Sequence, residues 1–149
     1  MFPAALTYAA VRFLDFLADR VLPPEDTPEH QVTGRRGEED AYFYLRRRGY
    51  IMVARNYRSP HYRGEIDLIG WHKDVLCFIE VKTRTTRDVK PAEAAVDAKK
   101  QRELIAVARE YLRHLSSQPR WRMDVISVYY DGPSGRTRFE LFQDAFTVS

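Results

Sequence analysis

Cysteine is almost absent from the chain. Cys77 is the single one in 149 residues, so neither a disulfide framework nor a thiolate metal cluster can be built. Its surroundings, Val75-Leu76-Cys77-Phe78-Ile79, make it a small buried hydrophobe, and a reducing, cytoplasmic setting fits. Histidine is also thin: the four residues at 30, 61, 72 and 114 are scattered, show no zinc spacing and read as surface or loop positions. The seven glycines form no phosphate-cradling loop, and no internal repeat occurs. Long uncharged apolar runs are missing, which leaves no candidate for a bilayer span.

The most apolar stretch is N-terminal. Leu6, Ala10, Phe13, Leu17 and Val21 make a helical stripe that Pro23-Pro24 and the acidic, Pro-rich Glu25-Asp26-Thr27-Pro28-Glu29 bring to an end. No basic residue precedes it, and Arg12 and Asp15 interrupt it, so it is a poor secretory signal. It is expected to pack within the chain or in a homodimer. The organisation predicted is a helix and linker over 1–31 and one domain over 32–149. With 44% hydrophobic and 30% charged residues, that length can bury one sizeable core.

Charge is present where it is expensive. Gly64-Glu65-Ile66-Asp67-Leu68-Ile69 and Phe78-Ile79-Glu80-Val81-Lys82 both read as strands, and a charged group in such a run needs a partner or a metal. Alternation places Glu65, Asp67 and Ile69 on one face, and Phe78, Glu80 and Lys82 on one face of the next strand, leaving Ile66, Leu68, Ile79 and Val81 for the other side. If Lys73-Asp74 forms a two-residue hairpin loop, Trp71 pairs with Leu76, Asp67 faces Glu80, and Glu65 faces Lys82. Opposed carboxylates with Cβ atoms about 5 Å apart repel unless a cation or proton lies between them. Mg²⁺ suits a few carboxylate oxygens and can polarise a phosphoryl group while activating water, with Lys82 placed to assist. A cross-strand salt bridge on a solvated face is the competing reading; the opposed Asp67 and the apolar residues behind it favour the site.

A third carboxylate is expected from a helix. Within Gly34 to Leu45, Ala41, Tyr42 and Leu45 follow Glu38 at helical spacing, so Glu38 lies on the core-facing stripe while Glu39 and Asp40 point elsewhere. Alternatively, the three acids complement the positive end of a helix capped by Thr33. Although net charge is only +3, eight arginines face three acids between Arg35 and Arg63, interleaved with Tyr42, Tyr44, Tyr50, Tyr57 and Tyr62. Arg35, Arg36, Arg55, Arg58 and Arg63 suit phosphate contact, and Arg84 and Arg87 extend the rim. Arg46-Arg47-Arg48 alone reads equally as a solvated helix end. After Pro91, a helical pattern carries Leu104, Ala108, Tyr111 and Leu115, with Lys100 and Gln101 one turn earlier; one of these two reaches the site or a phosphate, or Lys100 merely snorkels. Residues 125–130 and 138–142 read as strands joined by the turn Asp131-Gly132-Pro133-Ser134-Gly135.

These segments together carry a resemblance. Gly34-x-x-Gly37-Glu38, Tyr44-Leu45-x-x-x-Gly49-Tyr50, Ala54-Arg55-Asn56-Tyr57-Arg58, Gly64-Glu65-Ile66-Asp67-Leu68-Ile69, Glu80-Val81-Lys82-Thr83-Arg84 and Arg122-Met123-Asp124-Val125 follow the order seen in the YraN-like family. That family consists of largely uncharacterised bacterial proteins with a restriction-endonuclease-like fold, and it is similar to the archaeal Holliday junction resolvases. The resemblance runs from about Gly34 to Val128. It implies an α/β fold with a central mixed sheet flanked by helices, here with an extra N-terminal helix. It also implies a PD-(D/E)xK site in which Glu38, Asp67 and Glu80 hold Mg²⁺ or Mn²⁺ and Lys82 assists. Ser59-Pro60-His61-Tyr62-Arg63 is longer than the usual connection, and Asp88-Val89-Lys90 stand where a Phe-Gly pair is usual. Asp124 matches the pattern, with a strand-end hydrogen bond as its expected role.

Two functions follow as expectations. One is a metal-dependent nuclease, with DNA, branched or structured forms included, favoured over RNA. The alternative is a nucleic-acid-binding module or structural partner that keeps the fold without turnover.

Overall fold

The computed structural model describes residues 29–85, 96–131 and 136–146. The expected N-terminal helical stripe and Arg87 lie outside them. Helix α1 (Glu29–Arg47) is followed by strands β1 (Tyr50–Arg58), β2 (Glu65–His72) and β3 (Val75–Thr85), helix α2 (Ala98–Arg113), and strands β4 (Arg120–Asp131) and β5 (Arg136–Phe142). The five strands form one sheet in sequence order. β1, β2 and β3 are joined antiparallel by short connections, β3 and β4 run parallel, and β4 and β5 are antiparallel. The parallel pair requires a crossover, and α2 lies within it. The protein is thus an α/β fold of the restriction-endonuclease-like kind, with a mixed sheet between two helices. No helix among the described residues is long and apolar enough to cross a membrane.

Each face of the sheet buries its own core. Leu104, Val107, Ala108 and Leu112 of α2 pack with Ile69, Leu76, Phe78, Met123 and Val125. Ala41 and Leu45 of α1 pack with Leu68, Cys77, Ile79, Val81, Ile126 and Val128 on the opposite face. Adjacent residues of β3 and β4 therefore serve different helices, which is why these strands are apolar almost throughout, as expected of strands covered on both sides. Cys77 is buried as expected, and its thiol is pushed up to about 12 by burial and then by the charge of Asp124.

The Lys73-Asp74 hairpin is as expected: Trp71 pairs with Leu76 and His72 with Val75. Lys73 adopts φ 57°, the left-handed conformation that such tight loops demand. Helix α1, by contrast, begins earlier than expected. It passes through Thr33, which is therefore not its cap, and Glu38 lies in its interior. A helix dipole acts over the first turn, so the alternative that Glu38 merely complements a helix start fails. Asp40 does not point away either; it is buried and accepts a hydrogen bond from the Tyr130 hydroxyl at 2.7 Å. At the other end of α1, Gly49 at φ 94° turns the chain into β1.

Strict alternation fails in two places: the β1–β2 register shifts between Met52, which packs in the α1 core, and Ala54, which packs in the α2 core, and the faces change again further along. Ile66 packs in the α2 core whereas Leu68, two residues on, packs in the α1 core, so the expectation that both fill one side is corrected. β1 switches at the same level: Arg55 lies over the Tyr42 ring of α1, while the Tyr57 ring meets Tyr111 of α2 edge-on. Between them Asn56 has φ 50°, and the β1–β2 ladder skips the Asn56 and Asp67 pair. The left-handed residue thus lies at the level where both strands change faces.

Candidate metal and nucleic-acid site

β2 and β3 part at the acids. Their ladder ends at Leu68 and Ile79, so Asp67 and Glu80 occupy the next, unpaired level. The Val81 N–H, left without a strand partner, donates to Asp67 Oδ2 at 2.8 Å. Asp67 also lies within hydrogen-bonding reach of Glu80 on one side and Glu38 on the other. Gly37 brings α1 close enough for this, since a methyl group there would run into the Thr83 side chain of β3. α2 closes the other side: Asp97 caps its first turn by accepting from the Lys100 N–H at 2.8 Å, and Lys100 Nζ comes to 4.0 Å from Glu80 Oε1.

The resulting cluster is strongly acidic and half-buried, with Glu80 the most enclosed. One carboxylate oxygen each from Glu38, Glu65 and Asp67 lie within 4.8 Å of one another. Burial, then the charge of Glu80, pushes the Asp67 carboxyl up to about 8, against the Val81 hydrogen bond that favours its ionised form. Burial, then Glu65, also raises Glu38, partly offset by Arg55. Glu80 is 5% exposed; its Oε1 lies 3.4 Å from Lys82 Nζ, while its Oε2 is enclosed and accepts no hydrogen bond from any described donor. Acids so arranged need a proton or a cation between them.

Glu38, Asp67, Glu80 and Lys82 are brought together, and Lys100 joins them, beyond the snorkelling role weighed for it. Gln101 instead donates to the Val96 carbonyl at 2.9 Å. The cross-strand pairing expected of Glu65 with Lys82 does not form, because the two strands have already separated. Glu65 turns to β1 and pairs with Arg58, Nη2 to Oε2 at 2.6 Å. Arg35, Arg36, Arg55, Arg58 and Arg63 are exposed as a rim requires, whereas Arg84 is buried and belongs to no exposed surface. Several guanidiniums sit over tyrosine rings: Arg36 over Tyr130, Arg46 and Arg55 over Tyr42, and Arg48 over Tyr44. Arg46 and Arg47 also form the last turn of α1, consistent with the helix-end reading.

Asp124 has a larger role than a strand-end bond. Fully buried, it accepts from Arg122 Nε at 2.9 Å and from the Asp144 N–H at 2.9 Å. Arg122 Nη2 in turn reaches the Tyr50 hydroxyl at 3.0 Å and His72 Nδ1 at 3.2 Å. His72 is stacked on Tyr50 rather than free in a loop, and burial followed by the Arg122 charge lowers its pKa. This network ties β1, β2, β4 and the turn after β5 together at the end of the sheet away from the acids. The long Ser59–Arg63 connection is anchored too: the Ser59 hydroxyl bonds the buried Glu110 carboxylate of α2 and accepts from the His61 and Tyr62 N–H groups.

The chain also matches known proteins along most of its length. The profile of the uncharacterised protein family UPF0102 matches residues 37–128, from the close-approach glycine of α1 through β4. A UPF0102 protein of Koribacter versatilis (strain Ellin345) is 51% identical over 143 residues, covering 96% of both chains. One from Symbiobacterium thermophilum is 46% identical over 114 residues, 76% of this chain and 94% of the relative. A third, from Solibacter usitatus (strain Ellin6076), is 47% identical over 98 residues, 64% and 73% of the two chains. The chain belongs to the UPF0102 family, the YraN-like proteins of the resemblance.

Proposed function

We propose that the protein is a metal-dependent nuclease hydrolysing phosphodiester bonds in nucleic acid, with DNA favoured over RNA. One observation carries the reading: Asp67 and Glu80 face each other where two strands part, with Glu80 Oε2 buried and unsatisfied. The ion pairs with Lys82 and Lys100 satisfy only Oε1, and a phosphate-binding surface gains nothing from clustered acids. The donor set fits a hard divalent cation. All candidate ligands are carboxylate oxygens, which suit Mg²⁺ or Mn²⁺; Glu38, Glu65 and Asp67 would hold it, with Glu80, the third acid expected from the sequence, beside Asp67. A cation bound there supplies Lewis-acid activation of the phosphoryl group and a water acidified enough to attack.

The chain's own residues do the rest. Lys82 and Lys100 converge on Glu80 Oε1, so two ammonium groups border the place where charge develops on the phosphorus oxygens. The exposed arginines offer phosphate contacts outside the acids, and a tyrosine ring beneath Arg36 and Arg55 lowers the entropic cost of holding them. A panel of labelled linear, branched and single-stranded substrates, incubated with Mg²⁺ and with Mn²⁺, tests the reading. Cleavage that chelation abolishes is expected. Binding with no cleavage under any metal or substrate would sink the nuclease and leave a binding module built on the same fold.

A further inference from the structure

We propose that Asn56 is the positioning residue of this site: its left-handed backbone turns the acids of β2 into place, and its amide holds Glu38 and Glu65 together for a cation. The inference rests on the cation reading above and deepens it. Asn56 stands between the two glutamates, and with its nitrogen facing them the amide reaches Glu38 Oε2 and Glu65 Oε1, each at 2.9 Å. Flanked by carboxylate oxygens, the side chain can only present its NH₂ group, whose two hydrogens serve one acid each.

The backbone is the second half of the argument. At φ 50°, Asn56 sits opposite Asp67 at the point where the ladder is interrupted and both strands exchange faces. Without that rotation Ile66 would join Leu68 against α1, and Glu65 would turn toward α2, away from Glu38. Few side chains meet both demands. Glycine accepts the backbone but has no donor; aspartate accepts the backbone but repels the glutamates; lysine or arginine would donate, but would neutralise the cluster and compete with a cation. Asparagine donates twice, carries no charge and tolerates a positive φ better than most residues. An amide in this place lets two acids approach in the free protein while leaving their full negative charge for the ion. Hydrogen-bonding partners of ligating carboxylates typically contribute about 10- to 100-fold in metal affinity.

Mn²⁺ titration calorimetry and thermal unfolding on the full chain test the assignment with two variants. Asn56→Gly keeps the kink and removes the amide, and is expected to weaken Mn²⁺ binding about tenfold or more. Asn56→Asp keeps the shape and loses both donors; at pH 8 without metal it is expected to unfold at a lower temperature than the parent, and saturating Mn²⁺ is expected to close that gap. Affinity of Asn56→Gly within twofold of the parent, or a metal-free Asn56→Asp as stable as the parent, would overturn the role of Asn56. A parent chain that takes up no Mn²⁺ overturns the cation reading as a whole.

Discussion

Asp67 is the residue on which the site's charge balance turns. Its carboxyl is pushed to about 8 against an ordinary 3.8, chiefly by burial and then by Glu80, so the folded chain holds a proton there that the unfolded chain has released. Between those two values the folded state binds more protons, and metal-free stability must fall as pH rises. Denaturant unfolding in the presence of a chelator should show that decline between about pH 4 and pH 8, and Asp67→Asn should flatten it. The same variant is expected to abolish Mn²⁺ binding by calorimetry, because it removes the acid that touches both Glu38 and Glu80. Lys82 is a different case. Its ammonium is 3.4 Å from Glu80 and makes no other ion pair among the described residues, so its charge is available to a substrate phosphate. Lys82→Ala should leave nucleic-acid affinity within about tenfold, about 1.4 kcal/mol, while single-turnover cleavage falls at least a hundredfold, about 2.7 kcal/mol. Equal losses in binding and cleavage would reduce Lys82 to a phosphate contact.

At the scale of elements, the site depends on how closely α1 lies on β3. Gly37 is the contact point, and Glu38 follows it directly. Gly37→Ala must push the helix and the Thr83 side chain apart, an overpacking cost of about 1–3 kcal/mol that exceeds the small gain in helix propensity. Because Glu38 moves with the helix, Mn²⁺ affinity should drop with stability, and adding Thr83→Ala should restore both by making room. A Gly37→Ala protein as stable as the parent would mean that the helix can shift without penalty.

For the whole molecule, the relevant quantity is how positive charge is spread around an acidic centre. The formal net charge is +3, yet the exposed Arg55 and Arg58 of β1 stand beside the acids Glu38 and Glu65. If those arginines meet phosphates, affinity for duplex DNA should fall steeply with salt, the slope changing by about 0.9 for each contact removed. Arg46 and Arg47 end α1 and Arg48 follows it, with Arg46 and Arg48 already resting on Tyr42 and Tyr44. A triple alanine variant measured across a salt series decides their role: a flatter slope makes them part of the interface, and the parental slope leaves them a solvated helix end.

Much of this was legible in the residue order because the signals are local. The Lys73-Asp74 hairpin fixes the β2–β3 register through turn geometry, and that register brings Asp67 level with Glu80. Helical spacing is enough to turn Glu38 inward, and apolar strands bearing isolated charges announce a site through the cost of burying them. What the residue order did not determine by itself depends on contacts between distant segments. Ala54-Arg55-Asn56-Tyr57-Arg58 reads as an ordinary strand, and only the packed sheet shows Asn56 left-handed, the strand faces exchanged, and Glu65 paired with Arg58 instead of Lys82. Asp124 likewise looks like a strand-end acid until the fold surrounds it with Arg122 and the turn after β5. Alternation and helical period state which way a side chain points along one regular element. Where an element is interrupted, the partner of each charge is decided by whichever neighbour the tertiary packing brings within a few ångströms.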